Sequence, residues 1–145
     1  VFSVQIATGN TATNTGSASW SIGNVTVGGT GHTFTTSHIG FKMVSNGTNH
    51  QLFATQGDGT TENASSSLLN IASNDNLDLI AVVNGTSSVD YYTRVRGGTL
   101  SAATNLTANL PTATGAAAEN IHCSVSNRST ANTIAYDLFG VHYVR

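Results

Sequence analysis

The stretch Leu77-Asp78-Leu79-Ile80-Ala81-Val82-Val83-Asn84-Gly85-Thr86-Ser87-Ser88-Val89-Asp90-Tyr91-Tyr92-Thr93-Arg94-Val95-Arg96 decides the fold. Residues 77–83 are apolar on both faces of a two-residue period, which predicts a central strand covered on both sides. Asn84-Gly85 follows, and both residue types tolerate positive φ, so the pair predicts a hairpin turn. Residues 87–96 then alternate: Val89, Tyr91, Thr93 and Val95 share one face, and Asp90, Tyr92, Arg94 and Arg96 share the other. On that polar face Asp90 and Arg94 are expected to pair, a contact worth about 0–1 kcal/mol when exposed.

The same grammar extends in both directions. Residues 38–44 alternate Ile39, Phe41 and Met43 against His38, Gly40 and Lys42, and Ser45-Asn46-Gly47-Thr48 marks the turn after them. Residues 49–55 return as a partner strand, closed by Gly57-Asp58-Gly59. Residues 2–8 form the first strand. In the second, residues 19–27, Trp20 and Ile22 lie on one side and Val25 and Val27 on the other, so the phase flips around Gly23 and predicts a β-bulge. A second flip lies near the end of the chain: Ile134, Tyr136 and Leu138 share one face, then Phe139, Val141 and Tyr143 the other, with Gly140 beside the switch. The helix signal is limited to one turn at Ala116-Ala117-Ala118-Glu119, and the sole proline, Pro111, falls in the loop before it. About ten short strands with turn signals every 8–12 residues predict an all-β protein, a sandwich or a barrel. The 145 residues suit one domain, 1–145, large enough for a core of its own.

Composition narrows the function. Only 8 % of the residues are charged, with Lys42 the single lysine, against about 25 % in an ordinary domain. A surface of neutral hydroxyls and amides is typical of proteins that work outside the cytosol, packed into assemblies or facing glycans. The net charge of −2 and the lone basic pair Arg94 and Arg96 provide no electrostatic footprint for nucleic acid. No apolar run is long enough to span a membrane as a helix. Cys123 is the only cysteine, which excludes an internal disulfide, and its alternation with Ile121 and Val125 makes it a small hydrophobe. The first residue is Val1, which fits a processed chain or part of a longer polypeptide.

No catalytic apparatus emerges. The five histidines (His32, His38, His50, His122, His142) match no metal-ligand spacing, and adjacent His122 and Cys123 fall on opposite faces of a strand. Asn74-Asp75-Asn76-Leu77-Asp78 begins like a calcium loop, but Leu79 stands where glycine is needed and Gly85 where glutamate is needed. An Asx-rich turn is the simpler reading. The seven carboxylates show no closely spaced pair along one strand, and nucleophile elbows, phosphate loops and Cys-x-x-Cys motifs are missing. No cofactor or metal is expected. Six Asn-x-Ser/Thr sequons (Asn24, Asn46, Asn63, Asn84, Asn105, Asn127) are close to what a chain this rich in Ser and Thr carries by chance. The candidate ligand-binding residues are therefore aromatic: Tyr92 with Arg94 on the polar face, and Trp20, any of which could hold a sugar ring. Trp20 and Tyr91 also sit in apolar alternation, which makes core positions of both.

Several segments together resemble a concanavalin A-like (laminin-G-type) jelly roll of the kind found in bacteriophage tail fibres, head fibres and decoration proteins. They are Ile39-Gly40-Phe41-Lys42-Met43-Val44 with its Asn46-Gly47 turn, the run from Leu77 to Tyr92, Leu106-Thr107-Ala108-Asn109-Leu110-Pro111, and Ser126-Asn127 through Ala131-Asn132-Thr133-Ile134-Ala135-Tyr136-Asp137-Leu138-Phe139. The resemblance covers residues 39–145. This chain departs from the family in running Thr93-Arg94-Val95-Arg96-Gly97-Gly98 where an Asn-Gly or Asp-Gly turn is usual. It also lacks a match to the paired acids of the glycosidase branch and to the calcium ligands of the animal lectin-like branch.

The resemblance implies a jelly-roll sandwich of two antiparallel sheets and a non-enzymatic virion protein, a capsid decoration or fibre domain, at the virion surface. Its implied partners are other virion proteins of capsid or tail, further copies of itself (a trimer by analogy), and host-surface glycan. Two other functions fit the residues: a secreted carbohydrate-binding module and a self-assembling adhesin or filament subunit.

Overall fold

The structure, a computed structural model, describes residues 1–8, 17–25, 37–46, 50–72, 75–111, 120–127 and 136–143. These form eleven strands: β1 (Phe2–Thr8), β2 (Ser17–Val25), β3 (Ser37–Asn46), β4 (His50–Asp58), β5 (Glu62–Ala64), β6 (Leu69–Asn70), β7 (Asn76–Asn84), β8 (Ser88–Val95), β9 (Thr104–Leu106), β10 (Asn120–Asn127) and β11 (Tyr136–Tyr143). No helix occurs among the described residues, and the Ala116–Glu119 turn, Val27 and Ile134 lie outside them. All pairings are antiparallel. One sheet has the order β11-β1-β7-β8-β9, and the other β10-β2-β3-β4-β5, with β6 also on β4. The chain changes sheets after β1, β6, β9 and β10, which gives the winding of a jelly-roll sandwich.

The inner faces follow from the alternation. Phe41, Met43, Leu52 and Ala54 of β3 and β4 meet Leu77, Leu79, Ala81, Val89 and Tyr91 of β7 and β8, and Ile71 completes this buried set. The Phe41 and Tyr91 rings touch edge to face across the gap, with centroids 5.4 Å apart and planes at 88°, a geometry worth about 0.5–1.5 kcal/mol beyond burial. Tyr91 Oη donates a hydrogen bond shared between the Thr55 carbonyl oxygen at 3.0 Å and Gln56 Oε1 at 3.2 Å. Gln56 Nε2 in turn donates to the Ala108 carbonyl oxygen at 2.6 Å. Burial pushes the Tyr91 phenol far above its ordinary pKa, which favours the protonated form that donates these bonds.

Two expectations meet the structure differently and a third is met. β7 is central in its sheet but covered on one side: Leu77, Leu79 and Ala81 are buried, whereas Ile80 and Val82 are half-buried on the outer face and Val83 is exposed. The predicted bulge at Gly23 is absent, because β2 pairs without a shift from Ser17 opposite Asn46 to Val25 opposite His38. The other bulge is real. β1 pairs Gln5 with Gly140 and Ile6 with Leu138, leaving Phe139 as the extra residue. That insertion puts both Leu138 and Val141 opposite apolar residues of β1, Ile6 and Val4, which an unbroken two-residue period could not do. Lastly, the short strands β5, β6 and β9 carry no sequence signal, being two or three residues each.

Replacing Tyr91 by Phe keeps the ring and removes the hydroxyl donor that ties β8 to β4. The Tyr91→Phe protein should lose about 1–2 kcal/mol in urea denaturation with unchanged far-UV dichroism. An unaltered midpoint would show that the hydroxyl contributes nothing net.

Candidate functional site

The residues that alternate with the buried set of β7 and β8 form the outer face of the five-stranded sheet. The registers stack them into three rows across the strands. Gln5, Asp78 and Arg94 make the first; Ser3, Ile80 and Tyr92 the second; Val82, Asp90 and Asn105 the third. Tyr92, Ile80 and Val82 are half-buried and make a shallow apolar strip, and each flanking row contains a carboxylate. Asp90 and Arg94 lie four residues apart on β8, a span of about 13 Å at 3.3 Å per residue.

That span explains why the expected Asp90–Arg94 pair does not form. Arg94 instead reaches across to Asp78 on the neighbouring strand, with Nε 2.7 Å and Nη2 2.5 Å from Oδ2. Asp78 Oδ1 accepts from Gln5 Nε2 at 2.9 Å, and with Arg94 above it Asp78 is 7 % exposed. Asp90 is held by two amides: Asn105 Nδ2 donates to Oδ1 at 2.6 Å and Asn84 Nδ2 to Oδ2 at 2.7 Å. These bonds, with Asn105 first, hold the Asp90 carboxyl below its ordinary pKa. Asp78 and Asp90 are thus both already paired. Ligand hydroxyls would meet amide groups and the remaining guanidinium N–H groups beside an aromatic ring.

Of the predicted ligand-binding residues, Tyr92 and Arg94 stand in adjacent rows on one surface. Trp20 is in the other sheet, opposite Met43 and Val125 in the register, so the fold does not bring it to them. Sequence inspection missed Asp78, Gln5, Asn84 and Asn105. The available signal was the hairpin: with Asn84 opposite Ser88, counting outward places Asp78 opposite Arg94.

The outer face of the six-stranded sheet carries a second polar cluster. Thr55 Oγ1 donates to Glu62 Oε1 at 2.5 Å, and Lys42 Nζ lies 2.6 Å from the same oxygen. Since the single Thr55 proton is committed to Glu62, His38 Nε2, 3.0 Å from Thr55 Oγ1, is the donor in that contact. His38 and Thr55 are buried, and the Lys42 and Glu62 side chains are 13 % and 15 % exposed. This chain clasps the three-residue β5 onto β4 and β3 and offers no open surface to a ligand. Asp75 Oδ2 accepts from the Ala72 N–H, three residues earlier, at 2.8 Å, which ties the loop back on itself and is not the forward bond of an Asx turn. Among the described residues no three His, Cys, Asp or Glu side chains gather where they could hold a metal ion. Nothing is described of the Cys123, His122 and His142 side chains; Cys123 stands opposite Ile22 and His122 opposite Gly23.

No family model, curated protein or solved structure matches this chain.

The folded pKa of Asp90 is depressed, so its two amide ties add stability that is present above the ordinary Asp pKa and lost as pH falls through the lowered one. A carboxyl NMR titration should place the Asp90 midpoint below that of an unstructured aspartate. Asn105→Ala should raise the midpoint toward the ordinary value, and an unmoved midpoint would count against the amide as its cause.

Proposed function

We propose that this chain is a non-enzymatic surface domain of a virion, a capsid decoration or fibre module that packs against other virion proteins and touches host-surface glycan. The observation that carries this reading is the outer face of the five-stranded sheet. There Tyr92, Ile80 and Val82 form an apolar strip between two carboxylates whose charges are already met by Arg94 and by the amides of Asn84 and Asn105. Such a face can stack on the apolar side of a sugar ring and exchange hydrogen bonds with its hydroxyls. It can equally pack against protein with few charges to desolvate. The 8 % charged composition supports assembly for the same reason. The resemblance of residues 39–145 to phage virion jelly rolls points the same way and rests on hairpin and strand patterns.

The Tyr92 row also suits a second reading, a secreted carbohydrate-binding module. The two separate by experiment. Light scattering of the native protein at several concentrations should give the mass of a stable homo-oligomer for a fibre or decoration role. A monomer at all concentrations that retains glycans through Tyr92 would favour the binding module. On a glycan array, Tyr92→Ala should weaken retention about tenfold, the loss of a stacking contact of roughly 1–1.5 kcal/mol. A monomer that retains no glycan and binds no virion protein would overturn both.

A further inference from the structure

We propose that Asn84 is a site of spontaneous self-modification, in which its side-chain amide cyclises onto the Gly85 backbone nitrogen and is hydrolysed, and that Asp90 restrains this step. The reaction needs a backbone nitrogen that can approach the Asn Cγ without a side chain in the way. Gly85 provides it: the residue is exposed, has φ +60°, and a Cβ built there would meet nothing within 4 Å. The loop is a tight exposed turn closed by the Ser87 N–H on the Asn84 carbonyl oxygen at 3.2 Å. Other described asparagines on or near this sheet lack that freedom. Asn105 precedes Leu106 inside β9, and Asn63 precedes Ala64 inside β5.

The chemistry balances without a cofactor. The Gly85 nitrogen loses its proton and bonds to Asn84 Cγ, the Cγ–Nδ2 bond breaks, and ammonia leaves carrying a proton. Water then opens the cyclic imide at either carbonyl, giving aspartate or, when the backbone carbonyl is cleaved, an isoaspartyl linkage with one extra methylene in the main chain. Before any of this the amide must leave its present partners. Asn84 Nδ2 donates to Asp90 Oδ2 at 2.7 Å and stands 3.3 Å from Ser88 Oγ, so both bonds hold the leaving group toward β8. The product reverses the interaction: a carboxylate replaces the donor and faces the Asp90 carboxylate, so attraction becomes repulsion. One end of the outer face would then carry an added negative charge and a loosened hairpin.

The inference stands whether or not that face binds glycan or protein. Its test is to hold the native protein warm at mildly alkaline pH and follow Asn84 by peptide-mapping mass spectrometry with isoaspartyl-specific methylation. The expected result is an aspartate and isoaspartate mixture at Asn84 while Asn63 and Asn105 stay intact. Asn84→Gln should remove the signal. Asp90→Ala should speed conversion several-fold, whereas Asn105→Ala, which leaves the Asn84–Asp90 bond in place, should not. Asn84 reacting no faster than Asn63 and Asn105 would overturn the site. Equal acceleration by Asp90→Ala and Asn105→Ala, or none by Asp90→Ala, would overturn the restraint.

Discussion

The Tyr91 side chain is the constraint on which the sandwich depends. Among the described residues it is the largest fully buried side chain, it starts from β8 in one sheet, and its hydroxyl ends on the backbone of β4 in the other. A ring at this position fixes three things at once: the spacing of the sheets, through the edge contact with Phe41; the height of β4 against β8, through Thr55; and the path of the chain after β9, through Gln56 and the Ala108 carbonyl. Non-directional packing of Leu and Val could set the first of these alone. The polar chain from Tyr91 to Ala108 adds direction, and it is tolerable in the interior because each member named has a partner.

A short loop sets the character of the outer face. Asn84 pairs with Ser88, so three residues, Gly85-Thr86-Ser87, turn the β7–β8 hairpin. That count puts Asp78 beside Arg94 and Ile80 beside Tyr92. Had the loop one residue fewer, Asp78 would face Thr93, whose position belongs to the core, and β8 would turn its apolar residues to solvent. One turn therefore buries Tyr91 and at the same time presents Tyr92 between two neutralised carboxylates.

The sheet edges show how a protein with few charges uses those it has. The outer edge of β4 is covered along its length by β5, β6 and the bonds of Ser65, Leu68 and Ile71 to Ala54, Leu52 and His50. Glu62, in the shortest part of this cover, is tied to the single lysine and, through Thr55, to His38. Three register pairs would be a weak hold for β5 alone. Placing the one Lys–Glu pair of the described residues here, largely sheltered from water, strengthens an edge that would otherwise be a template for strand addition.

The sequence by itself determined the fold class and most of the strands, because a two-residue apolar period and Asn/Gly turns act locally and leave local traces. It determined that Tyr91 is core and that Tyr92 and Arg94 share the opposite face, since adjacent residues of a strand must point apart. It also carried the bulge beside Gly140, because a reversed apolar phase has no other simple explanation in a paired strand. Gly23 looked the same and was not a bulge, as two residues on each side of a switch carry less constraint than three. Tertiary structure alone decided which charges pair. Arg94 meets Asp78 and Asn105 meets Asp90 because cross-strand neighbours are about 5 Å apart while same-face neighbours four along are about 13 Å apart. It alone decided that Trp20 belongs to the other sheet from Tyr92, and that two- and three-residue strands exist at all, since segments so short are held by what they cover and not by their own period.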